Sequence, residues 1–121
     1  MGRVTFMDYK GKKILLEDFT NLRPGSEYED TLKTAQAMIA AEPQKSVLAL
    51  FDATNCTFNN DMLNQMKEFT KANTPYIKKA TVVGITGLLQ VALSAVSKFA
   101  GRDFFSFKTR EEALEFLVSV E

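Results

Sequence analysis

The stretch VLALF, residues 47–51, decides the fold class of this chain. Five consecutive apolar residues ended by Asp52 predict a strand that is buried on both faces, because a half-buried strand alternates apolar and polar residues. ATVVGI, residues 80–85, has the same character and predicts a second central strand. Two such strands separated by helical sequence indicate a largely parallel sheet with helices packed on it.

The N-terminal part of the chain predicts a hairpin followed by a helix. Residues 4–7 and 13–16 are rich in apolar residues and read as two strands, with a turn at residues 10–11 that contains a glycine. The first helix is expected to begin at Ser26, since Ser26 and Glu29 have the spacing of a capping box.

Three more helices are predicted in the C-terminal part. Asn59 or Asn60 caps the second helix, residues 88–100 form the third, and Thr109 caps the last one after a short strand at residues 104–107. The predicted order is β-β-α-β-α-β-α-β-α within one domain, residues 1–121. This is an α/β fold with a single-layer, mixed, largely parallel sheet and no evident internal repeat.

Composition narrows the function classes. The chain has 15 lysines and arginines, 15 aspartates and glutamates, and no histidine. The charge balance argues against nucleic acid as a partner, and the missing histidine excludes histidine-based catalysis and the usual zinc sites. A single cysteine cannot form an internal disulfide, and the most apolar stretch, residues 88–100, is too short to span a bilayer. We therefore predict a cytoplasmic protein with no catalytic residues, metal site, cofactor or membrane span.

A polar segment follows the first central strand, where ligands and partners bind in open α/β sheets. We call this segment, residues 52–61, the partner loop. The candidate binding residues in it are Asp52, Thr54, Asn55, Thr57, Asn59, Asn60 and Asp61. The alternative stays open that these residue types are there as turn and cap formers.

The third helix is apolar over most of its circumference. A helix of this kind is either deeply buried, or part of it contacts a second copy of the chain, a lipid or another apolar ligand. The candidate residues for an apolar ligand or dimer face are Leu88, Leu89, Val91, Leu93 and Val96. Cys56, just before the second helix, is expected to behave as a small hydrophobic residue.

Three stretches carry a resemblance to a known family. They are VLALFDATNCTF at residues 47–58, KKATVVGITGL at 78–88 and GRDFFSFKTREEALEFL at 101–117. In this order they resemble the SpoIIAA-like branch of the STAS superfamily, the fold of anti-sigma-factor antagonists. Signalling antagonists carry a phosphorylated serine at the start of the helix after the third strand. The matching stretch here, FNNDML at 58–63, has no serine.

The resemblance implies a non-enzymatic, STAS-like interaction module that contacts another protein, without the phosphorylation switch. A homodimer is also left open. The alternative function is a carrier or sensor of a small apolar molecule or lipid that uses helix 88–100.

Overall fold

The computed structural model describes residues 2–119, and within them the elements follow the predicted order. The strands are β1 (Val4–Tyr9), β2 (Lys12–Asp18), β3 (Val47–Asp52), β4 (Ile77–Val83) and β5 (Phe105–Phe107). The helices are α1 (Ser26–Ala40), α2 (Asn60–Asn73), α3 (Leu88–Ala100) and α4 (Arg110–Val118), and a 3-10 turn (Thr74–Tyr76) joins α2 to β4.

The five strands form one sheet in the order β1-β2-β3-β4-β5. β1 pairs with β2 in antiparallel fashion, and the other pairs are parallel. The predicted hairpin turn is confirmed: Lys10 and Gly11 have φ angles of 50° and 82°, as a two-residue turn of the hairpin type requires. VLALF is confirmed as a central strand, because β3 has neighbours on both sides.

Helices cover both faces of the sheet. On one face, Val47 and Ala49 of β3 lie in a core shared with α1 and α2. On the other face, Leu48 and Leu50 pack with Ala113 and other residues of α4. Successive residues of a strand point to opposite faces, so an unbroken apolar run is what this two-sided packing needs.

Two of the three predicted helix caps are present. The side chain of Asn59 accepts a hydrogen bond from Met62 N at 2.9 Å, and Thr109 caps α4 in the same way. The capping box at Ser26 is wrong. Gly25 occupies the cap position, and no side-chain hydrogen bond caps α1. Ser26 is already the first helical residue, so its hydroxyl group does not lie where a cap has to be.

The second central strand, β4, begins three residues earlier than predicted and ends two residues earlier, because Gly84 turns the chain after Val83. Gly84 has a φ of 80°, and a Cβ placed on it would lie 2.6 Å from Thr54 N and 2.7 Å from Thr54 Cα. The turn after β4 therefore packs directly against the backbone of the partner loop after β3. Residues 84 and 85, predicted as strand, belong to this turn.

Replacing Gly84 with alanine should destabilise the protein strongly. A left-handed φ costs roughly 1–2 kcal/mol for a residue with a Cβ, and the overlap with Thr54 adds roughly as much again, so we expect a loss of about 3 kcal/mol. Gly11→Ala is the matched control, because Gly11 has a φ of 82° and open space around it. Urea unfolding measures both variants, and equal losses would rule out the contact with Thr54 as the cause.

Candidate functional site

An apolar cavity lies between α2, α3 and the sheet face formed by β3 and β4. Its volume is about 110 Å³, and it is open to solvent. The helices contribute Met62, Leu63, Met66, Phe69, Leu89, Ala92, Leu93 and Val96 to its wall, and the sheet contributes Ala49, Phe51, Ala80 and Val82. For comparison, an apolar cavity of about 150 Å³ is enough to bind benzene.

Glu17, on β2, is the anomaly in this apolar wall. Its side chain points to the same face as Leu15, which is in the core, and the residue is only 4% exposed. Its Oε1 atom has no hydrogen-bond partner among the described residues. Burial raises the pKa of Glu17 to about 8, against a smaller opposing effect of Arg102. The carboxyl group is therefore largely neutral at pH 7.

Arg102 provides the positive charge of the cavity. It follows Gly101, which ends α3 in the left-handed conformation with a φ of 73°. Its Nε atom donates to Thr74 Oγ1 at 3.0 Å, and its guanidinium group lies 4.5 Å from the centre of the Phe104 ring. Burial lowers the pKa of Arg102, but the ordinary pKa of an arginine is so far above 7 that the group stays charged at neutral pH.

Sequence reasoning missed both charged residues of the cavity. The predicted strand 13–16 stopped one residue before Glu17, although a carboxylate that continues the inward-facing positions of a strand is a usable signal. Nothing local marks Arg102, since an arginine after a helix-ending glycine is common on protein surfaces.

The predicted apolar face of α3 divides into two parts. Leu89, Leu93 and Val96 line the cavity. Leu88 and Val91 do not, and they are 76% and 68% exposed. Within α3, which is described throughout, Val96 alone is buried, so the alternative of a deeply buried helix is wrong. α2 packs against one side of α3, and the side that carries Leu88 and Val91 meets solvent.

Of the seven candidate residues in the partner loop, six are exposed and Asp52 is buried. The exposed candidates are Thr54, Asn55, Thr57, Asn59, Asn60 and Asp61. Asp52 is 5% exposed, and its Oδ1 accepts hydrogen bonds from the backbone N and the hydroxyl group of Thr54. Its Oδ2 accepts from Arg110 Nε at 2.6 Å. Asp52 therefore holds the loop in place and is not part of the surface that a partner would meet.

The same turn occurs one strand away. The pattern Asp-x-Thr-Asn appears at residues 18–21 and again at 52–55, a short repeat that sequence reasoning missed. In both copies the aspartate accepts hydrogen bonds from the N and Oγ1 atoms of the threonine two residues later. Asp18 and Asp52 are direct neighbours across β2 and β3.

Arg110 lies between these two carboxylates, since one of its terminal nitrogens is 3.7 Å from Asp18 Oδ1. Burial acts to raise the pKa of Asp52, but hydrogen bonds from Thr54 and Arg110 outweigh it and lower that pKa. Asp52 is thus a fixed, ionised acceptor and is poorly suited to proton transfer.

Cys56 lines the cavity, and burial raises the pKa of its thiol group. The residue packs against the core next to α1 and α2, as expected of a small hydrophobic residue. Among residues 2–119, no three histidine, cysteine, aspartate or glutamate side chains are grouped so that they could hold a metal ion. No helix in that range combines the length and apolar character needed to cross a bilayer.

Comparison with solved structures identifies the fold. A protein from Shewanella loihica, an uncharacterised member of the DUF3478 family with a SpoIIAA-like fold, superposes with a TM-score of 0.72. The match covers 94% of this chain and 91% of the other, at 16% sequence identity. The fold is SpoIIAA-like. No protein-family model and no curated protein matches the sequence.

The SpoIIAA-like fold confirms the resemblance drawn from the three sequence stretches. It places residues 58–63 at the start of α2, where Asn59 is the cap and Asp61 lies in the first turn. An acidic residue there interacts favourably with the positive end of the helix dipole.

The stability of the protein should depend on the proton of Glu17. The folded protein holds this proton more tightly than the unfolded chain does, because the pKa is about 8 against an ordinary value of 4.5. The contribution of Glu17 to stability is therefore complete below pH 4.5 and is lost as the pH rises to 8. Between pH 6 and 8, the free energy of unfolding should fall by about 2 kcal/mol relative to Glu17→Gln, which cannot ionise.

Denaturant unfolding at several pH values measures this difference, with Glu68→Gln on the exposed side of α2 as the control. Parallel pH profiles for the wild type and Glu17→Gln would show that the carboxyl group is solvated and would contradict the prediction.

Proposed function

We propose that this protein is a non-enzymatic carrier or sensor that binds a small, largely apolar molecule in the cavity beneath α2 and α3. The observation that carries the proposal is the unpaired Oε1 atom of Glu17 in the wall of that cavity. A buried polar atom without a partner costs about 1–3 kcal/mol, and a ligand that supplies the partner offsets this cost.

The rest of the wall suits an apolar ligand. Most of the side chains that line it are aliphatic, methionine or phenylalanine. Small-molecule sites commonly combine such a wall with a few polar groups that orient the ligand. Met62 and Met66 can adapt their shape to a ligand, since methionine is unbranched and flexible.

The non-enzymatic part of the proposal is supported by the state of the two aspartates at the carboxyl ends of β2 and β3. Asp18 and Asp52 are both engaged by threonine and arginine side chains, and the chain contains no histidine. A catalytic acid or base needs a group that is free to exchange a proton with a substrate, and neither aspartate is free in this sense.

Filling the cavity should weaken ligand binding. Ala92→Phe adds a ring to the cavity wall, so we expect this variant to bind 1-octanol at least tenfold more weakly than the wild type. Amide chemical shifts recorded during a titration with 1-octanol measure the affinity. Val91→Phe is the matched control, because it adds a ring to the neighbouring, exposed position on the same helix. Equal affinities for both variants would place the ligand elsewhere. Native and denatured masses of the freshly purified protein show in addition whether a ligand co-purifies.

A second candidate function is the protein-interaction module implied by the STAS resemblance. What favours it is the row of exposed polar side chains in the partner loop, at the carboxyl end of β3. The homodimer also stays a prediction, and native mass spectrometry gives the subunit count.

The loop function has a separate test. A protein partner retained by the wild type should be lost with the double variant Asn60→Ala and Asp61→Ala, and kept by Asn64→Ala, an exposed position further along α2. Retention by Ala92→Phe would separate this function from ligand binding. A partner bound equally well by the double variant would argue against the loop.

A further inference from the structure

The polar end of the cavity has hydrogen-bond donors without partners. Glu17 and Arg102 both line the cavity and lie close enough to influence each other's pKa. No hydrogen bond or ion pair joins them in the described part of the chain. Arg102 uses Nε for Thr74, and none of the hydrogen bonds found among residues 2–119 involves its terminal nitrogens. A guanidinium group has five N–H donors, so four of those of Arg102 have no hydrogen-bond partner within residues 2–119.

This end of the cavity carries a net positive charge at neutral pH. Among the described residues that line the cavity, only Glu17 and Arg102 are of a charged type. Burial keeps the Glu17 carboxyl group largely protonated, so it contributes an O–H donor and no charge. Arg102 stays cationic. Two other polar groups of the wall are occupied, since the Tyr28 hydroxyl donates to Met62 O and the Thr81 hydroxyl donates to Ala49 O. The wall also contains the uncharged side chains of Thr70 and Asn73.

We propose that the ligand is a small apolar acid, whose carboxylate group binds Arg102 and accepts a hydrogen bond from Glu17 while its hydrocarbon body fills the cavity. This inference rests on the proposed function and specifies the chemistry of the ligand. A carboxylate matches the fork of a guanidinium group and can accept several charge-assisted hydrogen bonds at once.

Other head groups fit the same site less well. An alkylammonium ion would bring a second cation next to Arg102 and would require ionised Glu17 inside an apolar wall. An alcohol can hydrogen-bond to Glu17 but does not neutralise the charge of Arg102. The expected order of affinity is carboxylate, then alcohol, then amine.

The size of the cavity limits the hydrocarbon body. The volume of about 110 Å³ is smaller than the cavity of about 150 Å³ that binds benzene, so the cavity encloses a body no larger than benzene. Because the cavity is open to solvent, a somewhat longer tail can extend out of it. Octanoate is therefore a suitable probe, with 1-octanol and octylamine as probes of the same chain length.

Calorimetric titration of the full chain at pH 7 with these three probes tests the proposal. We expect octanoate to bind at least tenfold more tightly than 1-octanol, and octylamine most weakly. Arg102→Gln should weaken octanoate binding at least tenfold and leave 1-octanol binding unchanged. Arg102→Lys, which keeps the charge, should restore part of the octanoate affinity, and Arg23→Gln at an exposed position should change nothing.

The outcomes separate the two levels of the proposal. If none of the three probes binds, the ligand-binding function itself fails. If 1-octanol binds as tightly as octanoate, or octylamine binds best, the cavity is a binding site but the acid preference is overturned. An Arg102→Gln variant that melts like the wild type and keeps its octanoate affinity also overturns it.

Discussion

Burial of β3 on both faces is the constraint on which the rest of the structure depends. Leu48 and Leu50 require cover from α4, and Val47 and Ala49 require cover from the opposite side. A strand with these demands can only lie inside a sheet, with paired neighbours at both edges. The parallel connections, the two helical layers and the position of the polar loop at the carboxyl end of the sheet all follow from it.

The two helical layers differ in their number of helices, and the cavity lies in the layer that has more of them. α4 alone packs on one face, while α1, α2 and α3 share the other. Between α2, α3 and the sheet the side chains do not fill the space, and the wall of that space contains Glu17. A well-packed core would have a leucine or valine at this position. The free-energy cost of a buried carboxyl group without a partner is offset when another molecule completes its hydrogen bonds.

The sequence allows the fold to be predicted better than the site, for a physical reason. Some elements depend only on residues close to them in the chain, so their patterns can be recognised in the sequence. These are the two central strands, the hairpin turn and the caps Asn59 and Thr109. The prediction of a helix cap at Ser26 is wrong by one position, because Gly25 is the cap residue. The cavity, by contrast, depends on Glu17 and Arg102, which are far apart in the chain and meet only after folding. The exposure of Val91 was equally unpredictable, because it depends on how many helices share a face.

The twin Asp-x-Thr-Asn turns bear on how the sheet finds its alignment. Each turn forms from four consecutive residues, so both can exist before β2 and β3 meet. Arg110 contacts the aspartates of both turns, which happens only when Asp18 lies beside Asp52. A slip of β2 by one residue would break that bridge and rotate Glu17 to the opposite face of the sheet. The paired turns therefore fix the register of β2 against β3, and this register determines that the side chain of Glu17 lies in the cavity wall.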